Sequence, residues 1–217
     1  MGLGSSAAFA VAIVRAFDNL LGLSLDDARV NEIAFDCEKL AHGSPSGVDN
    51  TLATFARPML FCNGRSFRSE ELELAQTPPI VIACSHRQGA THEQVAGVRA
   101  RYEQQRTAYA AIFEQVDALS ITGAEALVAG DYAALGQLMN VCQGLLNALG
   151  VSTPELERMI GIARDAGAAG AKLTGAGGGG SIVAACPGTV TDVVAALHSA
   201  GYATIDLSND REATWKM

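Results

Sequence analysis

The chain has 217 residues, 49% of them apolar and 18% charged, which excludes a disordered polymer and suits one large domain or two small ones. A formal charge of −8 without a basic stripe argues against a nucleic-acid partner. No apolar run reaches membrane-spanning length, and the N-terminus lacks the basic region of a signal peptide, so no membrane partner is expected.

Gly2-Leu3-Gly4-Ser5-Ser6 leads into Ala7 to Leu21, a stretch apolar on nearly every side that predicts a buried helix ended by Gly22. Ser24 and Asp27 match a capping box for a second helix over Asp26 to Ala41. Val30, Ile33, Ala34, Cys37 and Ala41 share one face of it. Glycine and proline then force a loop over His42-Gly43-Ser44-Pro45-Ser46-Gly47. Thr51 to Phe55 and Pro58 to Cys62 read as paired strands, and Asn63-Gly64 as a hairpin turn.

Thr77-Pro78-Pro79 marks a domain boundary, giving domains 1–77 and 78–217. A strand is expected over Ile80 to Cys84, then helical segments over Thr91 to Leu119, Gly123 to Ala129 and Tyr132 to Leu149. Thr153-Pro154 caps and opens another helix that Gly167 ends. Two β-prone runs flank the glycine run that follows Lys172-Leu173-Thr174, and a helix from Thr189 to Ala200 and a strand from Tyr202 to Leu207 close the chain. Without its additional helices the second half reads β-α-α-β-β-α-β, an α+β pattern of the ferredoxin-like kind with a helical insertion.

Three segments carry chemistry. The run Gly175-Ala176-Gly177-Gly178-Gly179-Gly180 can take positive φ and turn successive N–H groups toward an anion, usually phosphate. Its alternative is a flexible turn, but linkers are normally flanked by polar low-complexity sequence rather than β-prone runs. Gly2 to Ser6 opens a helix, whose N-terminus attracts anions and whose serines can reach a magnesium ion; an ordinary serine cap is the alternative. No lysine follows those glycines, so this is not a P-loop. Glu38 and Asp49 flank the Gly/Pro turn and could divide phosphoryl transfer between a metal ligand and a proton acceptor. A solvated surface Glu and a turn Asp are the plainer alternatives. Five scattered cysteines, odd in number and without CxxC spacing, predict reduced thiols in a cytoplasmic protein, most of them buried, and no zinc site.

Together GLGSSAA, E-x3-HGxPSGVD and KLTGAGGGGS resemble motifs of the GHMP kinase superfamily, and Gln94 to Arg99 and Leu145 to Val151 are similar to the mevalonate kinase family within it. The resemblance implies a GHMP kinase fold: part of a ribosomal protein S5 domain 2-like N-terminal domain, then a ferredoxin-like C-terminal domain. It also implies ATP-dependent phosphorylation of mevalonate in isoprenoid biosynthesis, with ATP and Mg2+ as cofactors. By the same resemblance Gly2, Leu3, Gly4, Ser5 and Ser6 form a phosphate loop, Ser6 and Glu38 ligate magnesium, and Asp49 is the catalytic aspartate. Gly175, Ala176, Gly177 and Gly178 then lie over the phosphates, with Ser46, Thr91 and Gly177 on the substrate side. His92 stands where the family often has lysine after that threonine.

Members of the family carry on the order of a hundred residues ahead of the motif at Gly2, the size of a domain. The chain alone is therefore expected to have weak or no activity, and either to be completed by a homodimer or a partner chain covering the Ala7–Leu21 helix or to be a truncated product. Phosphorylation of another small alcohol, or service as the non-catalytic half of a split kinase, are the competing expectations.

Overall fold

A computed structural model of the chain describes residues 3–42, 45–62, 68–87 and 89–208. The expected turn at Asn63-Gly64 and the loop positions Gly2, Gly43 and Ser44 lie outside the described residues. The chain divides into two compact units, Leu3–Glu73 and a second that begins at Leu74.

The first unit is mainly helical: α1 (Ser5–Leu21), α2 (Asp27–His42) and α3 (Val48–Phe55), followed by the antiparallel pair β1 (Met59–Cys62) and β2 (Arg68–Glu71). Its buried centre is small, with Val11 of α1 against Val30 and Ala34 of α2. The capping group of α2 is Asp26, not Ser24: Asp26 Oδ1 accepts the Arg29 N–H at 2.8 Å. Thr51 to Phe55 is helical rather than a strand. Gly47, at φ 87°, turns the chain into α3, and the Thr51 hydroxyl donates back to the Gly47 carbonyl at 2.7 Å. This local bond satisfies a β-branched residue inside a helix, and buried Thr51, Thr54 and Asn50 face α1 and α2. The strand actually paired with β1 is Arg68–Glu71.

The helix α1, expected to need cover on nearly every side, is covered on one only. Ala7 and Val11 are buried, whereas Phe9, Phe17, Leu20 and Leu21 are exposed, because α2 and α3 cover one stripe of the helix only.

In the second unit, β3 (Ile80–Cys84), β4 (Gly170–Thr174), β5 (Ser181–Ala185) and β6 (Ala203–Asp206) form an antiparallel sheet ordered β4-β5-β3-β6. That order is the ferredoxin-like arrangement read from the sequence. Five helices accompany it: α4 (Thr91–Gln104), α5 (Arg106–Ala129), α6 (Tyr132–Ala148), α7 (Pro154–Asp165) and α8 (Val190–Ser199). The long helical region breaks once, at Gln105, where φ is −138° and ψ 55°, and then runs through Gly123 without interruption. Leu156, Met159 and Ile160 of α7, Leu197 of α8, and Leu173 and Ile182 of the sheet make one fully buried core.

Strand β4 lies at the sheet edge, and α6 covers it at very short range. A Cβ on Gly170 would stand 1.8 Å from the Gly136 carbonyl oxygen, so only two glycines permit this approach. Side-chain amides of α6 stand in for a neighbouring strand: Asn140 bonds the Ala171 N–H at 3.1 Å and the Ala169 carbonyl at 3.1 Å. An edge that could recruit another chain is thereby occupied.

The cysteines depart from expectation. Cys37 and Cys62 are exposed, Cys84 and Cys142 half-buried, and Cys186 alone is buried, where desolvation pushes its thiol up to about 11. Cys37 misses the interior because the buried stripe of α2 runs through Val30, Ala34 and Glu38.

Candidate active site

In the helical unit the site is made by three helix ends. Gly4, at φ 72°, turns the chain into α1 and its carbonyl accepts the Ala8 N–H at 3.0 Å. A glycine at this N-cap brings no side-chain acceptor to the first N–H groups of a 17-residue helix, so its positive end suits an anion. One residue into the helix, the Ser6 hydroxyl donates to Glu38 Oε1 at 2.7 Å. Glu38 is only 6% exposed, so it is not the solvated surface carboxylate that its composition class would suggest. A carboxylate taken so far out of water needs hydrogen bonds or a cation beside it.

Asp49 sits in the first turn of α3 and is exposed. Its carboxyl carbon would lie 3.2 Å from a Cβ on Gly4, so the aspartate packs closely on this glycine at the mouth of α1. The position of α3 is fixed by Asn50, whose side-chain amide donates to Asn31 Oδ1 of α2 at 2.6 Å. Ser46, in the turn ahead of α3, is exposed and accepts the Val48 N–H at 3.4 Å. The structure thus gathers Gly4, Ser6, Glu38 and Asp49; Leu3 and Ser5 are exposed beside them, and Gly2 lies outside the described residues.

Among the described residues no group of three or more His, Cys, Asp or Glu side chains forms a metal cage. Magnesium does not require one, since it is commonly held by one or two carboxylates plus phosphate oxygens and waters. The hard, all-oxygen pair of Ser6 and buried Glu38 fits that cation.

In the sheet unit, Gly175, Gly177, Gly178, Gly179 and Gly180 all take positive φ between β4 and β5. The loop is clamped rather than slack. The Gly178 N–H donates to the Val151 carbonyl at 2.8 Å, and the Gly180 N–H to the Arg87 carbonyl at 2.8 Å and the Ser85 hydroxyl at 2.9 Å. Two donors of the loop therefore serve to anchor it. A Cβ on Gly177 would fall 2.3 Å from the Val151 oxygen, and one on Gly179 2.4 Å from the Arg87 oxygen. Ala176 is half-buried between these glycines. Thr91, the exposed first residue of α4, lies one turn before Gln94, which packs on Gly178.

The sequence singled out the glycines, and Val151 only as part of a family-like stretch, but not the anchoring that Val151 and Arg87 provide. Val151 and Arg87 act through backbone carbonyls, for which no residue type is diagnostic. Asn31 and Asn50 are equally silent, because a bonded amide pair leaves no spacing signal.

Models of known families match at both ends of the chain: the GHMP kinases N terminal domain over residues 1–57 and the GHMP kinases C terminal domain over residues 124–203. A mevalonate kinase of Methanothermobacter thermautotrophicus is 40% identical over 197 residues, covering 91% of this chain and 64% of its own length. Among solved structures, mevalonate kinase of L. major in complex with R-mevalonate superposes with a TM-score of 0.84 at 32% identity, covering 94% of this chain and 66% of that one. Mevalonate kinase from methicillin-resistant Staphylococcus aureus gives a TM-score of 0.65 at 31% identity, covering 96% and 68%. The chain spans 60–64% of the length of the first curated relatives it matches.

Proposed function

The chain belongs to the GHMP kinase family, and from that premise we propose that it transfers the γ-phosphoryl group of ATP to the primary hydroxyl of mevalonate. The observation that carries this reading is the Ser6–Glu38 hydrogen bond beside an Asp49 packed closely on Gly4. Phosphoryl transfer asks a protein chiefly for positioning and charge neutralisation. The N-terminal end of α1 receives the phosphates through backbone N–H groups of Gly4, Ser5 and Ser6, joined by Gly2 and Leu3 ahead of them. Asp49 orients the substrate hydroxyl and takes its proton as the new phosphate ester forms. Ser6 and Glu38 hold Mg2+, which when bound offsets the phosphate charge.

Glycines 175, 177 and 178, with Ala176, offer a preformed backbone surface to phosphate, and Ser46 and Thr91 are assigned to the substrate side by the family resemblance. The clamped loop supports this role, since a preorganised backbone needs no reordering as charge develops. Exposed Phe9, Phe17, Leu20 and Leu21 along α1 support association of that face with a second copy or a partner chain.

The test is ADP release by the purified chain with MgATP, with and without mevalonate, in wild type and Asp49→Asn. Mevalonate-dependent release that falls by about 100-fold or more in D49N supports the reading. Weak turnover suffices, because the readout is its dependence on mevalonate and on Asp49. Turnover with another small alcohol in preference to mevalonate, or D49N turnover equal to wild type, overturns it.

A further inference from the structure

We propose that Gln143 of α6 is a positioning residue of the phosphate loop, bracing the glycine run from both of its sides through one buried amide. The inference rests on the kinase reading above for its kinetic consequence, but not for its structural one. Gln143 is 3% exposed and lies two residues ahead of the Leu145 to Val151 stretch. Its Oε1 accepts the Leu173 N–H at 2.9 Å, two residues before the loop begins at Gly175. Its Nε2 donates to the Ser152 hydroxyl at 3.1 Å and to Glu157 Oε1 at 2.8 Å.

Ser152 follows Val151, whose carbonyl accepts the Gly178 N–H and against which Gly177 is packed without room for a methyl group. The strand leading into the loop and the segment that clamps its middle are thus tied to the same side chain. No apolar residue can replace this. A leucine of similar volume would leave the Leu173 N–H buried without an acceptor, and Ser152 and Glu157 without their common donor. A glutamate would keep the acceptor for Leu173 but face the Glu157 carboxylate with a second negative charge.

Swapping the two groups restores the chemistry. In Gln143→Glu with Glu157→Gln, the carboxylate accepts from Leu173 and Ser152, and the new amide at 157 supplies the donor. A side chain that only fills space would not be rescued in this way.

The experiment compares wild type, Q143L, Q143E, S152A and the Q143E/E157Q double variant as full chains, with exposed Val141→Ala on the same helix as control. Backbone hydrogen exchange of residues 174–180 is measured without ligand, followed by KM for ATP and for mevalonate. Exchange in that segment should quicken by about tenfold in Q143L and Q143E, less in S152A, and return toward wild type in the double variant, while β3 stays unchanged. The KM for ATP should rise by a similar factor, with KM for mevalonate and kcat changed much less. Loop exchange that does not change, or that quickens equally across the whole unit, overturns the brace. If Q143L does not fold, S152A and the Q143E rescue decide alone. Failure of the kinase reading shows separately, as turnover that prefers another small alcohol or is unchanged in D49N, with the exchange result intact.

Discussion

Under the proposed function the two units solve one problem, presenting groups to a phosphate, by opposite means. The helical unit uses side chains: a serine donating to a buried glutamate, and an aspartate resting on a glycine, all held by a core of a few residues. The sheet unit uses backbone: a glycine loop whose shape is set by hydrogen bonds to carbonyls and by a core several times larger. A side-chain site is altered by changing one functional group. A backbone site is altered only by making its conformation impossible.

The sharpest way to break that contrast is at glycine. Gly177 and Gly22 both take positive φ, but a methyl on Gly177 would meet the Val151 oxygen at 2.3 Å, while one on Gly22 would meet nothing within 4 Å. Gly22→Ala, at the end of α1, should cost only the left-handed conformation itself, about 1 kcal/mol. Gly177→Ala adds a clash with a backbone atom that cannot swing away, and should cost about 3 kcal/mol or more and abolish ATP turnover. Chemical denaturation of the two variants checks this. Equal losses would mean that the loop yields as readily as a helix end, and the backbone account would fall.

The next effect belongs to the helical unit. Ser6→Ala removes a hydroxyl without adding bulk, leaving buried Glu38 short of one donor, and should lower stability by about 1–2 kcal/mol. Its larger signature is in ligand linkage. A nucleotide that binds only the folded chain raises its melting temperature. That rise should require magnesium in wild type, and should be lost in S6A and in Glu38→Gln even though both variants fold. A magnesium-dependent rise that survives in both would remove these oxygens from the site.

These differences explain what the sequence could and could not disclose. Glycines are legible because positive φ selects one residue type, so the loop and the ferredoxin-like order were visible as a pattern. Thr51 to Phe55 was misread because β-branched residues suggest a strand, and the helix is decided by the turn at Gly47 and the Thr51 bond to its carbonyl. Glu38 could be named only through a motif. Helical periodicity placed Cys37 on the inner face, whereas packing against α1 rotates Glu38 inward instead. Gln143 was invisible, since its three bonds reach residues 9, 14 and 30 positions away.

The smallest effect tests whether a surface ion also steadies the backbone site. Glu155, at the start of α7, accepts both the His86 N–H at 3.0 Å and a bond with His86 Nδ1 at 2.7 Å. His86 lies between Ser85 and Arg87, the two residues that hold the Gly180 N–H. The backbone N–H and then the ring of His86 hold the Glu155 carboxyl below its ordinary value of 4.5, against a smaller opposing effect of burial. A lowered acid contributes stability that is complete above its unfolded value and is lost as pH falls through its folded value. Relative to Glu155→Gln, wild type should therefore gain stability above about pH 4.5, and the two curves should converge in more acid solution. The pair is partly open to water, so the gap should stay within about 1 kcal/mol. Parallel denaturation curves from pH 7 down to acid would show that this ion contributes nothing. A gap accompanied by faster exchange in Gly178 to Gly180 would show instead that a surface carboxylate helps to hold the loop.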